Sequence, residues 1–384
     1  MNAESNSHTV GSRALISGAG TLLSRISGVV RDICFAAFLG GSDELAAFLV
    51  AFSLPNLVRR FLGEGALADA FIPLFNHRLA KEGPQAAWIY AQRILRGLML
   101  ILGSGAILFA LLSWSIGQWL SLPVLWQKVC MTLPALNVFL IGICLVAFFC
   151  SILNSLGYFA LSSMIPIVLN LGLILGALTA WWKADGISSR LFLAYGASLA
   201  VLGQIFLLVR FLKAKQFRMT WLGPIGWHEW RHLMRLLLPG LLAAGAYQLN
   251  VLADRLIAGT LGANAVNSLY FSERLIYFPV GILGVSFAIA GLPTMSRAAA
   301  TGDRDRMWRT LGYSLTLIES AGLPTMIFLL LCARDIVSIL FGYGHFQQKN
   351  VVAVSAALQV YAWGIPAFLA IRPLRNLYLA AQNT

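Results

Sequence analysis

The stretch from Ala14 to Gly40 reads ALISGAGTLLSRISGVVRDICFAAFLG and decides the fold. At 1.5 Å per helical residue it reaches about 40 Å, which is enough to cross a bilayer. Three ionised residues, Arg25, Arg31 and Asp32, interrupt it. Each costs about 2.5–3.5 kcal/mol near the centre of a membrane, so such charges usually face a wet cavity or a bound ion. The alternative is a structural pairing with another helix.

The composition is that of an integral membrane protein. Hydrophobic residues make up 59% of the 384 residues and charged residues 11%, whereas a soluble domain carries about 25% charged residues. The net charge of +13 follows from Lys and Arg collected in cytoplasmic loops. Nucleic acid is therefore not expected as a partner.

Hydrophobic segments predict about ten transmembrane helices in an all-α protein. The loops after the second, sixth and eighth spans carry sixteen Lys and Arg residues, and the loops after the third, fifth, seventh and ninth carry five. This asymmetry places the N-terminus in the cytoplasm. The predicted spans are 14–38, 44–62, 95–120, 132–155, 159–182, 191–212, 233–259, 268–295, 310–332 and 351–371.

A weak internal repeat divides the chain. Arg31-Asp32, followed by Gly40, corresponds to Asp254-Arg255, followed by Gly262. The offset covers six helices, so both copies enter the membrane in the same sense, as parallel repeats do. We expect a first six-helix bundle over residues 1–222 and a second over 223–384. Only four spans follow residue 223, so we expect either a fragment or an incomplete second bundle of about four helices.

Arginine is the recurring charge within the predicted spans. Its guanidinium group is always charged and presents forked donors that match phosphate, so an anionic, phosphate-bearing substrate is favoured over an organic cation. Glu319 is a lone intramembrane acid, for which a buried structural pair is as plausible as a function. The candidate residues are Ser24, Arg25, Arg31 and Asp32 in the first span, Asn56, Arg59 and Glu64 around the end of the second, Asp254 in the seventh, and Glu273 and Arg274 in the eighth.

No catalytic constellation stands out. The five histidines do not lie at ligand spacing from a cysteine or a carboxylate, and the five cysteines form no CxxC pattern. A phosphate-binding P-loop is also missing from the sequence. An intramembrane enzyme is therefore disfavoured, and a transport or binding protein is expected.

Two blocks of sequence resemble the MurJ/MviN lipid II flippase family. The first is Ser24-Arg25-Ile-Ser-Gly-Val-Val-Arg31-Asp32, and the second runs from Phe52 through the Pro-Asn-x-x-Arg-Arg block to Pro73. The segments that begin at Glu273 and at Phe341 are similar to later motifs of the family. The similarity extends over nearly the whole chain.

The resemblance implies an exporter fold of the multidrug/oligosaccharidyl-lipid/polysaccharide superfamily, with two pseudo-symmetric bundles around a central cavity. Family members carry fourteen helices, so the last four would be missing here. It further implies that Arg25, Arg31, Arg59 and Arg274, with Ser24 and Asn56, bind the head group of the substrate. Asp32, Glu64 and Glu273 would then serve gating or charge balance.

This sequence departs from the family pattern at Ala46 and Tyr277, where many or some members carry an acid. These departures concern gating and charge balance. In some members an acid on the seventh helix helps to bind sodium, and Asp254 is the candidate position for it. No other cofactor is expected.

The function implied by the resemblance is outward movement of lipid II, the undecaprenyl-pyrophosphate-linked peptidoglycan precursor, by alternating access through a cationic cavity. The expected location is the bacterial inner membrane, among membrane lipids and the cell-wall synthesis machinery. Two alternatives stay open. One is a polysaccharide-lipid or multidrug exporter of the same fold, and the other is a protein that binds lipid precursors as a scaffold without moving them.

Overall fold

The computed structural model describes residues 2–62, 66–183, 188–215, 223–301 and 303–380. Within them every regular element is helical, in agreement with the predicted all-α fold. The helices are α1 (Asn2–Leu39), α2 (Asp43–Leu62), α3 (Ala66–Lys81), α4 (Pro84–Trp119), α5 (Val124–Thr132), α6 (Asn137–Ser155), α7 (Phe159–Trp182), α8 (Ser189–Ala214), α9 (Trp227–Leu261), α10 (Ala263–Ala300), α11 (Arg304–Phe341), α12 (Gln348–Ala362) and α13 (Ile365–Ala380), with a 3-10 turn at Pro134–Leu136.

The predicted hydrophobic segments coincide with helices, but two of them are interrupted. The segment 132–155 crosses the 3-10 turn at Pro134–Leu136 before α6, and the last segment is broken. It forms α12 and α13, whose axes differ in direction by 49°. Pro366, in the first turn of α13, has no backbone N–H to donate to the Ala362 carbonyl, so the helical hydrogen-bond ladder is interrupted there. One helical span, 351–371, was predicted at this place.

Five helical segments of the described residues are long and apolar enough to cross a membrane, or six if the bent pair α12–α13 counts as one. The five are Pro84–Trp119, Val124–Ser155, Phe159–Trp182, Ser189–Ala214 and Arg304–Phe341. The long helices α1, α9 and α10 carry ionised residues along their length.

The chain forms two compact units, Met1–Val266 and Asn267–Thr384. The first unit contains α9, which packs against α2, α3 and α4. The boundary between compact units therefore lies later than residue 222, where the sequence repeat places the bundle boundary. The division at 222 concerns the repeat and stays a prediction.

Small residues bring three helices of the first unit close together. α1 packs along α7, and α7 packs along α8. A Cβ atom added at Gly176 would lie 2.8 Å from the Phe192 carbonyl oxygen, and one added at Gly196 would lie 2.5 Å from the Gly172 oxygen. Gly172 and Gly176 are four residues apart, the spacing that lets membrane helices approach backbone to backbone.

Aromatic side chains fill the core of each unit. In the first unit the Phe71 ring of α3 stacks on Tyr90 of α4, 5.7 Å between centroids, and meets Phe148 of α6 edge-on at 4.9 Å. In the second unit Phe271 of α10 contacts Phe341 of α11 at 4.9 Å. Ring pairs at these separations add to the burial of apolar surface. Of these helices, α10 carries the candidate residues Glu273 and Arg274.

Candidate functional site

Arg31 and Asp32 form a buried ion pair on α1. The Arg31 guanidinium donates from Nε and Nη2 to the Asp32 Oδ1 oxygen at 2.9 and 2.6 Å. Arg31 is 8% exposed and Asp32 is 4% exposed. Such pairs are sealed from water, and breaking one by removing a single partner is strongly destabilising. Arg31 is thus held inside the first unit.

Asn170 of α7 completes this cluster, and it was not among the residues predicted from the sequence. Its Oδ1 accepts from Arg31 Nη1 at 2.8 Å. Its Nδ2 donates to the Ser27 hydroxyl at 2.8 Å and to the Ser24 carbonyl oxygen at 3.3 Å. One amide therefore ties α7 to two turns of α1. A buried amide in an apolar span needs polar partners, which was the signal available in the sequence.

Arg25 lies in a different environment from Arg31. Its side chain is exposed, and within the described residues it forms no ion pair. The six-residue spacing turns the two side chains about 120° apart on an ideal helix, so one can enter the α1–α7 contact while the other points away. Of Arg25 and Arg31, Arg25 is the one whose donors are presented outward.

The α2 candidates lie one turn apart near the end of that helix. Asn56 Nδ2 donates to the Phe52 carbonyl oxygen at 2.9 Å, so this amide closes a turn of its own helix. Arg59 is half-buried and lies near the Cys144 and Cys150 thiols of α6. Glu64 lies outside the described residues.

In the second unit the adjacent residues Glu273 and Arg274 of α10 each contact a tyrosine side chain. The Arg274 guanidinium lies over the Tyr270 ring, 5.0 Å from its centroid, and the side chain is exposed. The Glu273 Oε1 atom accepts from the Tyr361 hydroxyl of α12 at 3.5 Å. A guanidinium on an aromatic face keeps its full positive charge, which attracts an anion.

The Asp254 carboxylate on α9 is exposed. Within the described residues no group of three or more His, Cys, Asp and Glu side chains could hold a metal ion. Sodium, as a hard cation, takes oxygen ligands, and a carboxylate can supply one of them. Asp254 therefore offers one suitable ligand atom.

A second polar network joins three helices at the other end of α2. Glu44 accepts from Arg190 Nη1 of α8 at 2.9 and 2.7 Å. The Lys128 ammonium of α5 lies 2.9 Å from Glu44 Oε1. One carboxylate thus ties α8 and α5 to the first turn of α2. Lys128 and Arg190 are two of the five positive charges in the loops after the third, fifth, seventh and ninth predicted spans, and the sequence indicated no other role for them.

At the start of α9 an ion pair attaches this helix to α4. Arg93 Nη1 lies 2.5 Å from Glu229 Oε1, and Trp230 covers Gly97, where any Cβ atom would collide with the indole. Partial burial alone would raise the pKa of Glu229, but hydrogen bonds from its own backbone N–H and Arg93 and the charges of Arg93 and Arg78 outweigh it. The pKa of Glu229 is therefore lowered.

Residues 35–384 match the family described as Lipid II flippase MurJ. The chain belongs to the MurJ family. Among curated relatives, the "Probable lipid II flippase MurJ" of Vibrio cholerae is 31% identical over 98% of this chain and 74% of its own length. The "Lipid II flippase MurJ" of Burkholderia cenocepacia is 28% identical over 97% of this chain and 73% of its own length.

Solved structures agree on the fold. A lipid II flippase MurJ in an inward closed conformation has a TM-score of 0.78 at 23% identity and covers 96% of this chain and 77% of its own. An inward-facing multidrug resistance MATE family transporter of the MOP superfamily has a TM-score of 0.71 at 14% identity, covering 96% and 85%. The chain thus has the helical transporter fold of that superfamily, and the MurJ family is one of transporters, not of enzymes.

Proposed function

We propose that this chain is a flippase for lipid II, and that it moves the undecaprenyl-pyrophosphate-linked precursor from the inner to the outer leaflet of the bacterial cytoplasmic membrane. The match to the lipid II flippase family over residues 35–384 carries the proposal. The chemistry of the exposed arginines agrees with it, because their fixed positive charge suits a pyrophosphate and repels an organic cation.

Arg25 and Arg274 are the arginines best placed to meet the substrate. Both side chains are exposed on helices of the transporter fold, and an ionised group facing lipid hydrocarbon would cost about 2.5–3.5 kcal/mol or more. A water-filled path or an anionic group removes that cost. Arg31 holds α1 against α7 instead, so we assign it to positioning the helix that carries Arg25.

The orientation and driving force are part of the proposal. The excess of Lys and Arg in alternate loops favours a cytoplasmic N-terminus. An inside-negative membrane potential then favours outward movement of an anionic head group by about 2.3 kcal/mol per charge for 100 mV. Sodium at Asp254 is a candidate coupling ion. Lipid II and the surrounding lipids are the proposed partners, with the cell-wall synthesis machinery as a further candidate.

The test is reconstitution of the purified chain in liposomes that carry fluorescent lipid II, with movement read by loss of access to an external quencher. Arg25→Ala and Arg274→Ala are expected to lower the rate at least about tenfold, since an Arg–phosphate contact of about 1.5–3 kcal/mol is lost. Arg306→Ala is the matched control, because Arg306 is also exposed but lies in the first turn of α11. It is expected to keep the wild-type rate.

The same assay separates the alternatives. Movement of labelled cations that survives both arginine substitutions would indicate a multidrug exporter. Tight binding of lipid II without movement would indicate a scaffold. Equal rates for wild type, Arg25→Ala and Arg274→Ala would contradict the role assigned to the arginines, and complementation of a flippase-depleted bacterium would check each result in cells.

A further inference from the structure

Glu319 is the one charged residue between Arg309 and Arg334 of α11. It lies ten residues from the first and fifteen from the second, which is about 15 and 22 Å along a helix. This helix is among the segments apolar enough to cross a membrane. A carboxyl group at such a depth is expensive when ionised, and it marks a functional site by default.

The carboxyl group points into the contact between α11 and α13. Its Oε2 atom is buried and forms no hydrogen bond within the described residues. A Cβ atom added at Gly322 would lie 3.2 Å from this oxygen and 2.7 Å from Leu369 Cδ1 of α13, so the three groups share one small space. The Glu319 side chain as a whole is half-buried, so the group is covered on one side without being sealed.

No basic or titratable partner neutralises this carboxyl group in the described part of the chain. Glu319 forms neither an ion pair nor a hydrogen bond there. Candidates lie on α12 and α13, which pack along α11, and on α10, which contacts the far end of α11 through Phe271 and Phe341. The structure does not describe the side chain of Arg372 on α13. The remaining charged and titratable residues are Tyr270, Glu273, Arg274, Tyr277 and Arg297 on α10, Lys349 and Tyr361 on α12, and Arg375 and Tyr378 on α13.

An unpartnered carboxylate is disfavoured in an apolar helix contact, whereas the neutral acid is tolerated much better. We propose that Glu319 is a proton-binding site of the second unit. In the closed α11–α13 contact the carboxylate takes one proton from water and is held as the neutral acid. When the contact opens to water, the O–H bond breaks, the proton returns to water and the carboxylate is solvated.

Proton binding and the separation of α11 from α13 are then linked, because a proton that binds one arrangement more tightly also stabilises that arrangement. This inference goes beyond the proposed flippase activity, because it concerns a different residue, a different ligand and one helix contact within the second unit. The proton-binding proposal does not depend on whether the arginines bind a pyrophosphate.

Carbodiimide labelling tests the proposal without any transport measurement. A lipid-soluble carbodiimide reacts with protonated carboxyl groups in apolar surroundings. The purified chain in liposomes is labelled across a pH series, and the label is located by mass spectrometry. We expect Glu319 to take up the label at neutral pH, where the exposed Glu82 and the ion-paired Glu229 do not.

The Glu319→Gln variant is the control, since the amide keeps the shape and cannot react. In a second measurement, the infrared spectrum of the wild type should contain a protonated-carboxyl C=O band at neutral pH that shifts in heavy water and is missing from Glu319→Gln. Label at Glu319 with the same pH dependence as at Glu82, or no such band, would overturn the proposal. Loss of lipid II movement in Arg25→Ala with unchanged labelling would show that the two proposals are independent.

Discussion

Arg31-Asp32 on α1 and Asp254-Arg255 on α9 occupy corresponding places in the internal repeat, yet the two acids differ in environment. Asp32 is 4% exposed and is paired with Arg31, whereas Asp254 is exposed. Both dipeptides precede a glycine with positive φ, Gly40 at 57° and Gly262 at 102°, that ends the helix. The backbone of the repeat is thus alike, and the surroundings of the charges are not.

The difference follows from what packs on each helix. α7 lies along α1 and supplies Asn170 to the guanidinium of Arg31, so the first pair is part of a helix contact. The Asp254 side chain is left outside such a contact. The same pair of residue types can therefore hold a helix in one copy and present a carboxylate to a cation in the other. Four predictions separate these two roles.

The largest effect is expected for Asp32→Ala. It leaves the Arg31 charge buried without its carboxylate, so the free energy of unfolding should fall by about 3–5 kcal/mol. Thermal melting of the purified protein in detergent, read by size-exclusion chromatography, measures this. Asp254→Ala is the matched control and, in a sodium-free buffer, should change stability by no more than about 0.5 kcal/mol. Similar losses for the two variants would mean that Asp32 and Asp254 both stabilise the fold, and would contradict the difference in role proposed for them.

The next effect is expected for Asn170→Ala. It removes the acceptor for Arg31 and the donor to Ser27, which should cost about 1–3 kcal/mol of stability because buried polar groups lose their partners. The same melting assay applies. Asn154→Ala is the control, since the half-buried Asn154 accepts one bond from Ser162 at 2.7 Å. If the Asn170 variant were as stable as the Asn154 variant, the stabilising role assigned to the Asn170 amide would be contradicted.

A smaller effect is expected from sodium at Asp254. If Na⁺ binds there, NaCl should stabilise the protein over choline chloride at equal ionic strength, by about 1.4 kcal/mol at ten times the Kd. Asp254→Asn should abolish that difference. Asp335→Asn, at an exposed acid of α11, should retain it. Equal melting temperatures in the two salts would exclude sodium binding to the folded chain at these concentrations.

The sequence predicted the helices well because apolar runs and charged loops are local signals. The charges within α1 were visible in the same way. The 120° between Arg25 and Arg31 also follows from helix geometry, and it agrees with one side chain exposed and the other buried. Which of them is buried could not be predicted, because it depends on which distant helix packs against α1.

Asn170 is a second case in which a contact between distant residues could not be predicted from the sequence. It lies 139 residues after Arg31, and one sequence gives no means of pairing two polar residues over that distance. The break between α12 and α13 had local signs in Gly364 and Pro366, but hydropathy averaged over a span does not register them. Long-range pairing is therefore what the structure adds to the candidate site.

The smallest effect is expected for the ion pair of Arg93 and Glu229, which sharpens the comparison because only one of its two partners is open to solvent. The Glu229 side chain is 10% exposed and the Arg93 side chain is 38% exposed. Water and salt therefore reach the guanidinium that Glu229→Gln leaves without its carboxylate, and the substitution should cost only about 1 kcal/mol at neutral pH. The pKa of Glu229 is lowered by folding. Its contribution is therefore complete above the unfolded value of 4.5 and is lost as the pH falls through the folded value.

Melting curves of wild type and Glu229→Gln should accordingly differ at pH 7 and converge on acidification, whereas Glu82→Gln, at an exposed acid, should follow the wild type throughout. Added salt should shrink the Glu229 difference and leave the Asp32→Ala loss nearly unchanged, since a Debye length of about 8 Å at physiological ionic strength screens exposed charges and not sealed ones. A Glu229 difference that widened at low pH would require a protonated Glu229 to be the stabilising form. Because Arg93 can only donate, that result would contradict the ion pair itself.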